Sequence, residues 1–200
     1  MDNSSKPVSV QPLLDYFNRL IPLNNEEKEL VTEKFHPHLF LKKQFVLQHG
    51  SNCDHFIFVV RGCLRLYKVD NDGVYHILQF ATENYWILDL TSFHKKTPAL
   101  FDIDALEDTV VLRINYADLI DLYLKAPKFD RIFRVLLENH FMLQQQRMSQ
   151  LFSSTAEERY QLFQETYPHL LSRLSQVQIA AYLGITPEFL SRIRSRMAKG

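Results

Sequence analysis

The sequence is short of several things, and each shortage excludes something. Only five glycines occur in 200 residues, with none between Gly73 and Gly184. Backbone that needs positive φ is therefore confined to a few places, and no P-loop or dinucleotide fingerprint is present. Cysteine stops at Cys53 and Cys63. Two thiols cannot build a disulfide framework or ligate a four-cysteine iron–sulfur cluster, so both are expected to be reduced, ordinary residues. No run of about 18 apolar residues exists, and the start MDNSSKPVSV lacks a basic segment followed by an apolar one. Neither a membrane span nor a signal peptide is expected, and the expected compartment is the cytoplasm. Charge of either sign is also not in excess: 23 Lys and Arg face 23 Asp and Glu, a formal net charge of 0. Internal repeats are absent, and low complexity is limited to Gln144–Gln146.

What is present is a chain with 46% hydrophobic residues, long enough for one large or two small domains with a real core. Residues 11 to 35 read as two helices, the second capped by Asn24 or Asn25 ahead of EEKELVTEKF. From Phe40 to Ile114 the runs FVLQ, HFIFVV, CLRLYKV, VYHILQF, FDIDAL and TVVLRI are rich in β-branched and aromatic residues. Turn signals separate them, DNDG at residues 70–73 being a strong hairpin signal. Such spacing predicts an antiparallel double sheet of the β-roll or jelly-roll kind. After the cap Asn115, helix resumes and continues past Pro127 into FDRIFRVLLENHFMLQQQRMSQLFSS. Its apolar stripe, carrying Phe129, Ile132, Phe133, Leu136, Leu143 and Leu151, is wider than one buried helix face requires. The helix is expected to pack on the β-domain along one edge and on the same helix of a second copy along the other; the alternative is a single core helix. Thr155 with Glu158 opens a further capped helix that Pro168 bounds.

The C-terminal segment carries the most specific pattern. Ser175 and Gln178 form a capping box, and Gly184 can take the left-handed turn that ends a helix. Thr186 offers an N-cap oxygen and Pro187 suits the first helical position. Two helices joined by such a short turn are a helix-turn-helix. Ile179, Ala180, Leu183, Ile185, Leu190 and Ile193 point inward, leaving Pro187, Glu188, Ser191, Arg192, Ser195 and Arg196 outside. From Leu170 onward the one acid is Glu188, set against Arg173, Arg192, Arg194, Arg196 and Lys199. Basic charge is thus local to this end, as DNA binding needs.

The order of parts resembles the cyclic-AMP receptor protein and fumarate-nitrate regulator (Crp/Fnr) family of bacterial transcription factors along nearly the whole chain. The resemblance rests on Gly50, the strand start Gly62–Tyr67, the hairpin Asp72-Gly73, the segment Ala105–Glu107 and the final motif. It implies an α+β fold: an N-terminal β-roll over residues 1–126, a dimerisation helix over 127–153, and a helix-turn-helix domain over 154–200. It also implies base contacts from Glu188 and Arg192, with Pro187 standing where the family carries an Arg, and Ser191 beside them. Backbone contacts are implied near Ser175, Gln176 and Thr186, with Arg194, Arg196 and Lys199 as further phosphate-facing groups. The implied partners are palindromic duplex DNA, a second copy of the chain, RNA polymerase and an unidentified small effector. No enzyme activity, metal or cofactor is implied.

Cyclic-nucleotide binders of the family cradle the phosphate with a Gly-Glu pair followed by an Arg and a small hydroxyl residue. This chain has Ile87 and Leu88 near the first pair, Ala99 and Leu100 near the second, and no Arg between them. A buried phosphate there would go unpaired at a cost of several kcal/mol, so another effector is expected. Tyr75, Tyr85, Trp86, Phe93, His94 and Phe101 could line an apolar cavity for it, or simply fill the core. Two rival readings stand beside this one. A cupin-like metal enzyme would use some of the eight histidines, but His36-Pro37-His38 is the one HxH and reads as lying ahead of the strands. A scaffold whose helix-turn-helix makes protein contacts is the other, since the given chain stops soon after the second helix where relatives continue into a wing.

Overall fold

The computed structural model describes residues 8–198. Helix α1, Gln11–Leu20, places Leu13 and Phe17 four residues apart on one fully buried face. Helix α2, Asn25–Lys34, opens with a reciprocal cap in which the Glu27 N–H donates to Asn24 Oδ1 at 2.8 Å and the Asn24 N–H to Glu27 Oε2 at 2.7 Å. The expected pair of N-terminal helices is there, with Asn24 as the cap.

Eight strands follow: β1 (His36–Phe40), β2 (Phe45–Leu47), β3 (His55–Arg61), β4 (Leu64–Val69), β5 (Tyr75–Ala81), β6 (Trp86–Ile87), β7 (Asp102–Ala105) and β8 (Thr109–Asn115). They form two four-stranded sheets in the orders β1-β8-β3-β6 and β2-β7-β4-β5, the expected β-roll. Strand β3 is buried on both faces. Phe56, Phe58 and Trp86 share one face and meet the rings of Tyr16, Phe17 and Phe133. Ile57, Val59 and Val111 point the opposite way and are equally buried, on the face left for the second sheet. This explains why HFIFVV reads as a continuous apolar run instead of an alternation.

Two sequence expectations are corrected. The segment His36-Pro37-His38 does not precede the strands; it begins β1, paired antiparallel with β8 in the register His36↔Arg113 and His38↔Val111. Proline weakens a strand reading because it cannot donate to a ladder, but β1 is an edge strand, where a missing N–H can face away from the partner. Helix also does not run through Pro127. Helix α4, Tyr116–Lys125, ends at Ala126 with φ −140° and ψ 86°, because the residue before a proline is driven out of the α region. Helix α5 starts afresh at Lys128 and continues to Ser153.

The connection between β3 and β4 depends on one glycine. Gly62 has φ +108°, and a Cβ there would lie 2.5 Å from Thr109 Oγ1 and 2.6 Å from Thr109 Cα. That approach lets Thr109 Oγ1 accept from the Cys63 N–H at 3.1 Å. Cys53 and Cys63 are both buried thiols.

The chain divides into two compact units, one made of residues up to Lys68 with Gln79–Leu136, the other of Val69–Leu78 with Leu137–Gly200. The first therefore takes the opening third of α5, and the second takes the β4–β5 hairpin tip, where the simpler division by sequence puts neither. Burial explains the cut in α5: Phe129, Ile132, Phe133 and Leu136 are at most 5% exposed, whereas Phe141, Leu143, Leu151 and Phe152 are 62%, 50%, 44% and 85% exposed. Burial along the helix thus changes along its length, not around its circumference. Phe129, Ile132, Phe133 and Leu136, expected at a dimer seam, are consumed by the chain's own core.

Candidate nucleic-acid interface and sensor segment

The C-terminal unit continues with α6 (Ala156–Thr166), a 3-10 turn (Pro168–Leu170), α7 (Gln176–Leu183) and α8 (Pro187–Met197). Each start has its cap. Thr155 and Glu158 form a reciprocal box, as do Ser175 and Gln178, and Thr186 Oγ1 accepts from the Phe189 N–H at 3.2 Å with Pro187 at the first helical position. Gly184 ends α7 at φ +69°, ψ 37°, a left-handed conformation that costs a residue with Cβ extra strain. Ile179, Ala180, Leu183, Leu190 and Ile193 are buried, Ala180, Leu190 and Ile193 completely. Ala180, with no side chain beyond Cβ, lets the two helices approach closely.

The outer side of α8 is open. Glu188, Ser191, Arg192, Arg194 and Arg196 are exposed and Pro187 is half-buried; Ser175, Gln176 and Thr186 are exposed at the two helix starts. Lys199 lies outside the described residues. Arg192 sits with its guanidinium 5.3 Å from the Phe189 ring, which steadies a long side chain at the surface without neutralising it. Arg196 differs, because Nη1 reaches Glu157 Oε1 on α6 at 2.9 Å. Arg192 and Arg194 have no ion-pair partner among the described residues.

Two arginines that sequence reasoning passed over hold this module in place. Arg147, in the second half of α5, donates from Nη2 to the Ile77 carbonyl at 2.7 Å and the Tyr182 carbonyl at 2.9 Å, and from Nη1 to the Leu78 carbonyl. Its guanidinium carbon stacks 3.9 Å from the Tyr182 ring centre. No carboxylate takes part, and burial pushes the Arg147 pKa below the usual arginine range. One side chain thus ties the hairpin strand β5 to the end of α7. Arg159 of α6 adds bonds to the Leu183 carbonyl at 3.2 Å and the Ser154 carbonyl at 2.7 Å. Both satisfy carbonyls at the end of α7 that its own helix leaves free. A signal for Arg147 does exist in the sequence, since it lies between Leu143 and Leu151 at spacings of four on an otherwise apolar helix face.

In the sensor unit, the aromatic residues expected around a cavity do not gather. Trp86 is in the core cluster with Phe17, Phe56, Phe58 and Phe133. Phe93 is fully buried and meets Phe56, His94 and Tyr116. His94 is exposed, Tyr85 and Phe101 are half-buried, and Tyr75 is exposed on β5.

The stretch where a phosphate would be cradled is organised around a carboxylate. The six-residue helix α3 (Leu90–Lys95) is capped by Asp89, which is 2% exposed. Asp89 Oδ1 accepts from the Ser92 N–H at 3.0 Å, and Oδ2 accepts from the Leu100 N–H at 2.8 Å. Ser92 Oγ in turn accepts from the Cys53 N–H at 2.9 Å and donates to the Thr97 carbonyl at 2.6 Å. Ala99 is zipped to the turn before β3, with the Gly50 N–H donating to its carbonyl at 2.9 Å and its own N–H to the Ser51 carbonyl at 2.8 Å. Backbone donors that could face an incoming phosphate are occupied from within, and the occupant is negative.

Residues 37–126 match the Cyclic nucleotide-binding domain family. Solved structures extend the likeness to both units. FixK2 from Bradyrhizobium japonicum superposes with a TM-score of 0.72 at 20% identity, over 82% of this chain and 85% of that one. This chain has the fold of the Crp/Fnr regulators. A regulator of the crp/fnr family from Eubacterium rectale gives a TM-score of 0.70 at 18% identity, covering 93% of this chain and 89% of that one. The c-di-GMP-responsive regulator CLP from Xanthomonas campestris gives 0.70 at 15% identity, covering 88% and 92%. Among curated proteins, no sequence relative matches the chain. The Crp/Fnr fold accounts for the β-roll, the long helix and the C-terminal helices together. No helix among the described residues is long and apolar enough to cross a membrane.

Proposed function

We propose that the protein is a sequence-specific DNA-binding transcriptional regulator that works as a homodimer. The observation that carries this reading is the surface of α8: Glu188, Ser191 and Arg192 exposed on one side, with Leu190 and Ile193 fully buried on the other. A carboxylate accepting from cytosine N4 and an Arg forking onto guanine are pairings that base-edge geometry permits. Ser175, Gln176, Thr186 and Arg194 flank this face and position it on the phosphates. The exposed second half of α5, with Phe141, Leu143, Leu151 and Phe152, supports self-association, because patches of this kind mark interaction sites. A two-fold dimer would set the α8 helices in successive major grooves about 34–36 Å apart, on a palindromic site. RNA polymerase would be the next partner at a promoter.

An effector would act by favouring one of two arrangements, which demands different affinity for each. The buried Asp89 carboxylate argues that this effector is not a cyclic nucleotide. Selection of bound fragments from random and genomic duplex DNA tests the reading. A palindromic consensus that Arg192→Ala loses is the expected result. Retention of no sequence above background would instead assign the helix-turn-helix to protein contacts.

A further inference from the structure

A second polar cluster lies inside the β-roll unit, away from α3. Register places His36 of β1 directly opposite Arg113 of β8, with His38 diagonal to it on the same strand. On the other side of β8, Ile57 is opposite Arg113 and His55 is opposite Asn115. Residues directly opposite or two apart share a face, so the three imidazoles flank one guanidinium, each about 5 to 8 Å from Arg113 at Cβ. This is the same face as Ile57 and Val111, both buried, and His36 at its edge is exposed. Arg113 Nε is buried and donates to nothing among the described residues. A guanidinium in such surroundings ordinarily finds an anion.

We propose that Arg113, His36, His38 and His55 form a binding site for a small oxyanion, of which inorganic phosphate is the simplest representative. The proposal deepens the regulator reading by giving the effector a chemical class, and places it apart from the Asp89 segment. Metal is a poorer occupant: no three His, Cys, Asp or Glu side chains converge suitably among the described residues. The charged and titratable groups that act on these imidazoles are Arg113, one another, and Asp54, which opposes them at His55. Burial first, and Arg113 next, hold His38 and His55 below the usual histidine range. An anion between them offsets the Arg113 repulsion, so binding takes up protons and tightens as pH falls.

The test is a histidine NMR titration of the full chain without DNA, adding phosphate against chloride at matched ionic strength. Saturable shifts at His38 and His55 are expected, with titration midpoints rising by about one pH unit. Arg113→Gln should weaken the response at least tenfold, and His38→Asn serves if that variant does not fold. Identical responses to phosphate and chloride, or shifts confined to His94 and His169, would overturn the site. Because no DNA is present, failure here leaves the DNA-binding reading untouched.

Discussion

Two helix starts in this chain obey the same capping rule and end in opposite chemistry. At α8 the cap is the neutral hydroxyl of Thr186, exposed, and the cations beyond it, Arg192 and Arg194, have no ion-pair partner among the described residues. At α3 the cap is the Asp89 carboxylate, buried, and both of its oxygens are used by backbone N–H groups of Ser92 and Leu100. A free helix start attracts anions. The first of these leaves its surroundings open to an outside anion, and the second has internalised its own. The lesson is that one buried carboxylate can occupy backbone donors at a helix start that would otherwise be free to meet an outside anion.

The sharpest way to break this comparison is Asp89→Ala. Two hydrogen bonds to a buried charge disappear and two buried N–H groups lose their partner, so chemical denaturation should show a loss of about 2–4 kcal/mol. Wild-type protein should meanwhile give no heat with cyclic AMP or cyclic GMP at millimolar concentration. An Asp89→Ala protein as stable as its parent would mean that the carboxylate is a bystander.

Next in size is Arg192→Ala. The expected loss at a specific operator is about 1–3 kcal/mol, with much less on random duplex. Equal losses on both would turn Arg192 from a base reader into a phosphate clamp, leaving specificity to Glu188 and its neighbours.

The two regions also differ in how far they can be read from sequence. The helix-turn-helix was legible because its signals are local: Ser175 to Gln178, Gly184, and Thr186-Pro187 each act within four residues and all appear in place. Six strands of the roll were legible for the same reason, through their runs and turns. What sequence hid depends on partners distant along the chain. Strand β1, read as lying ahead of the strands, is a strand only because β8, some 75 positions later, pairs with it. Asp89 is visible as an acid, but its second acceptor role needs Leu100 folded back onto it. The stripe on α5 marked apolar positions but not that Phe129, Ile132, Phe133 and Leu136 are buried within the chain itself, since periodicity reports which side is apolar and not what covers each end. Arg147 follows the same rule, as its value lies in three carbonyls, two of them on β5.

A smaller effect separates the capping of the two starts from their charge. Thr186→Ala removes the acceptor for the Phe189 N–H and should cost about 1 kcal/mol of stability. Its effect on DNA binding should follow the population of intact α8 and leave sequence preference alone. A change of consensus would show that the Thr186 hydroxyl contacts DNA itself.

The smallest expected effects distinguish the arginines of α8 from one another. Arg194 has no ion-pair partner among the described residues, so Arg194→Ala should flatten the salt dependence of affinity by about one phosphate contact per protomer, near two for a dimer. Arg196 already faces Glu157 on α6 at 2.9 Å, with 67% and 39% of the two side chains exposed. An exposed pair of this kind is worth about 0–1 kcal/mol, so Arg196→Ala should barely alter stability. Its charge is half spent before DNA arrives, because a phosphate must displace the carboxylate to use it. Glu157→Gln then becomes informative. It should strengthen binding by about two- to threefold at low ionic strength and steepen the salt slope, and both changes should vanish in the Glu157→Gln/Arg196→Ala double variant. If Glu157→Gln acts equally with and without Arg196, the carboxylate repels DNA directly and the pair has no part in tuning α8.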